Sequence, residues 1–400
     1  MAPFLKTQKT RIVTPNGKPI ILKGVNLGGW LMMEGYILHS LNYPERKFKG
    51  EFAKALGAKA LAEFEKAFRD HFIQENDIKT IAELGFNCVR VPFNHRLVEK
   101  IPYQYDKNGL AYLDKIVRWG EKYKIWIILD LHAAAGSQNH DWHSDSFGQA
   151  ELWTKESFRR RTYALWEFLS DRYKDKPWVA GYDLLNEAVL DNTVLLNEFY
   201  TKLIKTIRKV DKNHILFVEG NRWATDLKCL DDFDDDNLVL SVHCYVPIDY
   251  TSNFVQFLSY PLKRYGISWN KTYLEKLIAE HTQSARQRGV PVFVGEFGAN
   301  SRDGVYGEDK WLRDVLSCFK EMDFHWTYWT YKALKNSILP DGIFSFMENP
   351  PWVNRMGPRL GWDTYKYLWP ARKKEIIRSW QTDQFCCQQK MLNVLRHALD

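Results

Sequence analysis

The chain has 400 residues, of which 45% are hydrophobic and 26% charged, and its formal net charge is +7. This composition is typical of a folded protein of one or two domains. The basic residues are scattered, which argues against a nucleic-acid partner, and no run of about 18 apolar residues predicts a membrane span.

The first nine residues lack the apolar segment of a secretion signal. The six cysteines do not have the spacing of a metal site, and Cys386 and Cys387 are adjacent, which is poor geometry for a bridge between them. These features predict a cytoplasmic location, unless a leader has been removed from a secreted protein.

The chain opens with a predicted hairpin over 12–25, whose turn is Thr14-Pro15-Asn16-Gly17. Eight apolar strands follow, mostly separated by helical patterns. The predicted strands are 20–26, 85–92, 125–132, 179–187, 214–219, 238–245, 290–298 and 324–330. The predicted helices are 52–83, 112–123, 156–172, 194–210, 273–288 and 311–321.

Strands that are apolar on both faces and alternate with helices indicate a parallel sheet that is covered all round. Eight of them predict an α/β fold, a single (β/α)8 TIM barrel with its active site at the C-terminal strand ends. One domain then accounts for residues 1–400, with the barrel and its loops over 10–370. Segment 343–369 is expected to cross the barrel mouth, and 371–400 to hold a C-terminal helix over 373–399.

Polar or aromatic side chains stand at the C-terminal end of several predicted strands. They are Arg90, His132, Asn186, Glu187, His243, Tyr245, Glu296 and Trp329. In a closed barrel these positions converge on one mouth. Polar residues also occur at strand ends by chance, but two glutamates, two histidines and an arginine together favour a functional site.

Two of these residues, Glu187 and Glu296, suit glycosidic bond cleavage. One carboxyl must donate a proton and the other must attack as a carboxylate. Their surroundings must therefore make their pKa values differ. Arg90 beside Glu296 would favour its charged form, and Glu187 needs the more desolvated setting. Taken alone, Glu187 could be a surface carboxylate at a strand-to-helix turn. Glu219 also ends a strand and is a possible support residue.

The sequence resembles glycoside hydrolase family five over roughly 12–369. The resemblance is carried by Leu-Leu-Asn-Glu-Ala around Glu187 and by Val-Gly-Glu-Phe-Gly around Glu296. It implies a retaining, double-displacement reaction with Glu187 as acid/base and Glu296 as nucleophile, their carboxyl groups about 5 Å apart. It implies no metal or cofactor. Asn186 would bind the 2-hydroxyl of the sugar that is cleaved.

The resemblance also assigns the surrounding residues. His243 and Tyr245 would orient the two carboxylates, and Trp329 would form the floor under the sugar at the cleavage site. Arg90 and His132 are expected to line the substrate-binding site. Each could instead be structural, with Arg90 bonding strand-end carbonyls and His132 bonding backbone.

Within the family, two stretches look most like the exo-β-1,3-glucanase branch. The first is Gly-Val-Asn-Leu-Gly-Gly-Trp over 24–30, which leads to Glu34, and the second is His-Ala-Ala-Ala-Gly-Ser-Gln-Asn over 132–139. The resemblance of the stretch over 24–30 implies that Glu34 binds hydroxyls of the terminal glucose. The segment 140–143, His-Asp-Trp-His, departs from the usual continuation of that branch.

The leading hypothesis is therefore a retaining glycoside hydrolase, exo-acting on β-1,3-glucan or β-glucosides. One alternative is an endo-β-glucanase for β-1,4 or mixed linkages, and another is a glycosidase of glycolipids or diglycosides. A third is a carbohydrate-binding barrel without catalysis. The partner in every case is a sugar substrate, not nucleic acid or a membrane.

Two smaller questions stay open at this point. His140, His143 and Asp145 raise the alternative of a metal site, but no further ligand stands at helical spacing. Trp30 and Trp142 are candidates for sugar platforms or for ordinary packing aromatics.

Overall fold

A computed structural model describes residues 4–334, 338–345 and 364–400. Eight parallel strands form a closed barrel in chain order, and the last strand pairs with the first. The strands are β1 (Lys23–Asn26), β2 (Cys88–Asn94), β3 (Trp126–Ala133), β4 (Val179–Asp183), β5 (Ile215–Glu219), β6 (Leu238–His243), β7 (Val292–Phe297) and β8 (His325–Tyr328). The predicted (β/α)8 barrel and its eight strands are confirmed.

Helices surround the barrel. They are Glu45–Leu56, Ala58–His71, Glu75–Glu83, Lys107–Tyr123, Glu151–Thr154, Glu156–Tyr173, Thr193–Arg208, Ile248–Thr251, Lys271–His281, Gln283–Arg288, Glu308–Glu321, Tyr365–Ser379 and Gln389–His397. The helix after β2 shows why these segments fold as they do. The Asp106 side chain accepts a hydrogen bond from Asn108 N at its start, and Leu110, Leu113 and Val117 recur on its buried face.

Apolar side chains fill the N-terminal end of the barrel. The buried cluster there is Leu5, Ile12, Leu22, Cys88, Trp126, Ile128, Ala180, Ile215, Phe217, Val239 and Phe293. Three of its members precede β1 and come from the N-terminal segment. Because this end is packed, a ligand can enter the barrel mouth only from the opposite end, where the strands terminate.

The predicted hairpin is part of a three-stranded antiparallel sheet of Lys6–Gln8, Arg11–Val13 and Pro19–Ile20. Its turn is closed by Thr14 N donating to Lys18 O at 2.8 Å. Gly17 takes φ +75°, a left-handed conformation that glycine adopts without a steric penalty.

The predicted C-terminal helix over 373–399 is wrong as a single element. Two helices, Tyr365–Ser379 and Gln389–His397, are separated by a short strand, Cys386–Cys387, which pairs antiparallel with Phe344–Ser345. This tertiary pairing overrides the local helical pattern. Most of the segment expected to cross the mouth, 346–363, lies outside the described residues.

The described helices are all too short or too polar to cross a lipid bilayer. All six cysteines are free thiols, and Cys88, Cys244 and Cys318 are buried.

Candidate active site

The C-terminal strand ends open into a cavity of about 700 Å³. Seven of the nine predicted site residues line it, namely Glu34, His132, Glu187, His243, Tyr245, Glu296 and Trp329. The other two lie directly against this group. Arg90 donates to Glu296 at 2.7 Å and to the Asn186 side-chain oxygen at 2.8 Å. The structure therefore brings all nine predicted residues together.

Glu296 is placed by an irregularity in the barrel wall. The register between β6 and β7 shifts at His243, which lies opposite Glu296, and such a shift re-aims the side chains beside it. Tyr245 donates its hydroxyl to Glu296 Oε2 at 2.8 Å. Burial alone would raise the pKa of Glu296, but the charges of His243 and Arg90 lower it to about 2. Glu296 is therefore a carboxylate at neutral pH.

Glu187 stands beyond the end of β4 in a left-handed backbone conformation, with φ of 49°. Its backbone N–H donates to Glu219 Oε2 at 2.6 Å, and its carbonyl accepts a hydrogen bond from the Asn139 amide at 2.9 Å. Non-glycine residues adopt this conformation at a cost of about 1–3 kcal/mol, which the surrounding contacts must offset. Glu219 thus supports Glu187 through its backbone.

The two glutamates face each other. One carboxylate oxygen of each, together with a ring nitrogen of His243, lie within 4.8 Å of one another. The expectation that Glu187 is the more desolvated of the two is wrong, because its side chain is 12% exposed and that of Glu296 is 6% exposed. Their environments differ in partners instead: Arg90 and Tyr245 hold Glu296, whereas His243 Nδ1 contacts Glu187 Oε1 at 2.7 Å.

His243 is shared by the acidic residues around it. Burial would lower the pKa of its ring, but the charges of Glu296 and Glu219 and the bond to Glu187 raise it well above its ordinary value. A cationic His243 between the two glutamates reduces their mutual repulsion.

Arg90 is completely buried and lies beneath the cavity. In addition to Glu296, it contacts Asp183 at 2.8 Å, Glu219 at 2.9 Å and Asp130 at 3.1 Å. The structural alternative, in which Arg90 bonds only strand-end carbonyls, does not describe these contacts. Arg90 is the common partner of four carboxyl groups.

Asp130, Asp183 and Glu219 approach one another closely enough to be considered as metal ligands. The Arg90 guanidinium contacts all three, so the positive charge that a metal ion would supply is already provided. Burial and the charge of Glu219 raise the pKa of Asp183 to about 7, although Arg90 opposes this. Asp130 and Asp183 were not among the site residues predicted from the sequence. An aspartate inside an otherwise apolar strand was the signal that could have identified both.

On the other side of the cavity, His132 stacks on Trp329, with ring centroids 5.5 Å apart and planes 9° apart. His132 Nδ1 contacts Asp130 at 2.8 Å, and its Nε2 lies 3.6 Å from Glu34 Oε1. Tyr36, which the sequence analysis missed, accepts a hydrogen bond from the Trp329 indole N–H. This group forms a polar and aromatic wall at the cleavage site.

The 140–145 segment and the two candidate tryptophans, Trp30 and Trp142, have different surroundings. Asp145 is directed to Arg46 and Arg96 and away from His143, so the suggested metal triad does not assemble. Trp142 lines the cavity. Trp30 is fully buried and its indole N–H donates to a helix carbonyl, so it is a core residue.

Two facing glutamates at the C-terminal mouth of a (β/α)8 barrel, one of them held as a carboxylate, define the class of barrel glycoside hydrolases. The family model for cellulase (glycosyl hydrolase family 5) matches residues 53–335. The chain therefore belongs to glycosyl hydrolase family 5, which confirms the family that the motifs indicated.

Relatives within this family have several activities. A β-xylosidase of Phanerodontia chrysosporium is 31% identical over 348 residues, which are 83% of this chain and 71% of the relative. Endoglucanase C of Acetivibrio thermocellus is 29% identical, over 69% of this chain and 88% of its own length. Glucan 1,3-beta-glucosidase 2 of Candida albicans is 31% identical, over 50% of this chain and 46% of its own length. Endoglucanase Cel5A from Thermotoga maritima shares the fold, with a TM-score of 0.63 at 18% identity, over 93% of this chain and 96% of that chain.

Replacing Arg90 by Met is expected to lower the free energy of unfolding by about 3–5 kcal/mol, because it leaves buried carboxylates without their shared partner. Urea unfolding at pH 7 measures this loss. Arg118 lies exposed on a helix, and its replacement by Met is the control, expected to stay within about 0.5 kcal/mol of the parent. Equal losses in the two variants would contradict the assigned role of Arg90.

Replacing His132 by Gln is expected to cost most stability below pH about 6.5 and progressively less toward pH 10. Burial opposes a charged ring, but Asp130 and Glu34 raise the pKa of His132 to about 10. A histidine with a raised folded pKa contributes stability below its unfolded pKa and loses it as the pH rises through the folded value. Urea unfolding between pH 6 and 10 measures the difference. For the exposed His397, replacement by Gln should show no such trend, and a pH-independent cost at His132 would refute the ion-pair account.

Proposed function

We propose that the protein hydrolyses β-glucosidic bonds with retention of configuration at the anomeric carbon. The observation that carries the proposal is the spacing of the carboxylates, since oxygens of Glu187 and Glu296 lie within 4.8 Å. Retaining glycosidases separate their carboxyl groups by about 5–5.5 Å, whereas inverting enzymes leave about 6.5–9.5 Å for a water molecule.

In the first step, a carboxylate oxygen of Glu296 bonds to the anomeric carbon while the bond from that carbon to the leaving oxygen breaks. The leaving oxygen keeps the electron pair and takes the proton of Glu187. In the second step, Glu187 removes a proton from water, the water oxygen attacks the anomeric carbon, and Glu296 departs as a carboxylate. The lowered pKa of Glu296 supports its role as the nucleophile.

Unpaired polar atoms in the site are suited to bind the hydroxyl groups of a sugar. Among the described residues, the Asn186 side-chain N–H2 and Glu34 Oε1 are buried without a hydrogen-bond partner. Leaving such groups unpaired is costly, and a bound sugar would remove that cost. These unpaired atoms support the roles that the resemblance implies, with Asn186 binding the 2-hydroxyl, Glu34 binding hydroxyls of the terminal glucose and Trp329 beneath the sugar at the cleavage site.

An exo action on β-1,3-glucan or β-glucosides is the finer proposal. It is supported by the likeness to glucan 1,3-beta-glucosidase 2 of Candida albicans and by the position of Glu34 in the cavity. The likeness to endoglucanase C favours the endo-acting alternative. A glycolipid or another apolar glucoside is favoured by Trp223, Ile248 and Phe254, which line the cavity and are about half exposed.

A 2-deoxy-2-fluoro-β-glucoside with an activated leaving group is expected to form a stable glycosyl ester on Glu296. Peptide mass spectrometry locates the adduct. Replacing Glu296 by Gln should abolish turnover and adduct formation. Replacing Glu187 by Ala should lower the rate of hydrolysis of glucosides with poor leaving groups by about 10²–10⁴-fold. Glu198 is exposed on a helix, and its replacement by Gln is the control that should retain full activity. An adduct on another residue, or a product of inverted configuration, would overturn the proposal.

Exo action predicts that each early turnover on a laminari-oligosaccharide releases one glucose and leaves an oligosaccharide one unit shorter. Chromatography of early products separates this outcome from the endo alternative, which predicts two fragments of at least two glucose units from each early cleavage. A parallel series of β-1,4-linked oligosaccharides, an aryl xyloside and an alkyl β-glucoside ranks the linkages and leaving groups. Early fragments of two or more glucose units that form without an equal amount of glucose would refute the exo assignment and leave retention untouched.

A further inference from the structure

The segment that follows β3 brings a second histidine to Glu187. His143 Nε2 lies 3.5 Å from Glu187 Oε2, while His243 Nδ1 occupies Glu187 Oε1 at 2.7 Å. The His143 side chain is 13% exposed and lines the cavity. Because His243 already bonds Oε1, Oε2 is the oxygen that is free to face a leaving group, and His143 is the residue beside it.

His143 is the middle member of a chain of polar contacts. Its Nε2 also lies 3.7 Å from Asp141 Oδ2, and the same oxygen accepts a hydrogen bond from the Trp223 indole N–H at 2.8 Å. The chain therefore runs from Trp223 through Asp141 and His143 to Glu187. It joins two loops of the barrel mouth, one after β3 and one after β5.

The backbone that presents Trp223 is unusual. Arg222, Trp223 and Ala224 are consecutive non-glycine residues with φ of 51°, 56° and 56°. L-residues rarely adopt this left-handed conformation, and runs of it are rarer still. Trp223 N donates to Ala188 O at 3.3 Å, next to Glu187 itself. This costly turn places the indole where its N–H donates a hydrogen bond to Asp141.

The charged groups that face His143 favour its cation. Burial would lower the pKa of the ring, but Asp141 and then the charges of Glu187 and Glu34 raise it above its ordinary value, against a smaller opposing effect of His132. The ring centroids of His132 and His143 lie 6.2 Å apart. A cation at this position stabilises negative charge on Glu187 Oε2.

We propose that His143, held by Asp141 and Trp223, is a positioning residue that orients Glu187 and stabilises the carboxylate that forms when Glu187 gives up its proton. This rests on the proposed role of Glu187 as the acid/base. The proton passes from Glu187 Oε2 to the glycosidic oxygen as the bond to the anomeric carbon breaks. His143 keeps its own proton throughout.

The other groups near the Glu187 carboxyl group act from the barrel side, and they are His243, Glu219, Glu296 and Tyr245. Asn139 of the 139–145 segment contacts the backbone carbonyl of Glu187 instead. Removing the His143 charge therefore changes one face of Glu187 and leaves the nucleophile's partners, Arg90 and Tyr245, in place. This separation allows a test directed at proton transfer alone.

The test compares kcat/KM of His143→Gln, Asp141→Asn and Trp223→Phe with the parent enzyme. For an alkyl β-glucoside, whose leaving oxygen needs a proton, His143→Gln is expected to lower kcat/KM on the order of ten-fold. For a 2,4-dinitrophenyl β-glucoside, whose dinitrophenolate leaving group departs without a proton, the loss in kcat/KM should be under about three-fold. In His143→Gln, the basic limb of the pH profile of kcat/KM should also move to higher pH by on the order of one unit. The shift should be smaller in Asp141→Asn and smallest in Trp223→Phe.

His140 is the matched control, an exposed histidine of the same segment, and His140→Gln should leave both the ratio and the profile unchanged. Equal losses on the two substrates, or an unmoved basic limb in His143→Gln, would show that His143 only supports the fold of the segment and would overturn the proposal.

A measurement without turnover separates this inference from the proposed function. In the full chain with ¹⁵N-labelled histidine, the His143 resonance is assigned by its loss in His143→Gln. Its titration midpoint is expected to fall in Glu187→Gln by on the order of one pH unit, because the charge opposite Nε2 is removed. An unchanged midpoint refutes the coupling even if the enzyme is active, and a lowered midpoint supports it even if no glucoside is hydrolysed.

Discussion

The buried charge of Arg90 is the interaction on which the rest of the site depends. A guanidinium with no solvent contact is stable only when its donors are all directed at acceptors. Its partners come from four strands or strand ends: Asp130, Asp183, Glu219 and Glu296. The same contacts hold the nucleophile as a carboxylate and link the barrel wall beneath the cavity. Structural and functional roles are therefore combined in one side chain.

The two glutamates are distinguished by where their partners come from. Glu296 lies on β7 and is held by Arg90 and by Tyr245, so the barrel itself fixes its charge. Glu187 stands on a left-handed backbone beyond β4 and is more exposed, and side chains from the loops approach it. The barrel therefore positions the nucleophile, whereas loop residues also contact the acid/base.

Much of this arrangement was predictable from the sequence. The apolar strands predicted the barrel because buried parallel strands need apolar residues on both faces. The strand-end positions of Glu187 and Glu296 predicted the site because a barrel brings its strand ends together. Arg90, predicted at a strand end, lies inside β2 and reaches the site from below. Asp183 was missed because the strand pattern was judged by its apolar members, and the C-terminal helix was wrong because Cys386–Cys387 pairs with a distant strand.

The sequence by itself determined the barrel, the two glutamates and the residues around them, because these follow from periodicity and from position at strand ends. Only the tertiary structure decided which partner each carboxylate has. The register shift beside Glu296, the left-handed turns at Glu187 and Trp223, and the approach of His143 depend on contacts between residues far apart in the chain. Such contacts carry no local signal, since they arise only when the barrel closes and its loops pack over one mouth.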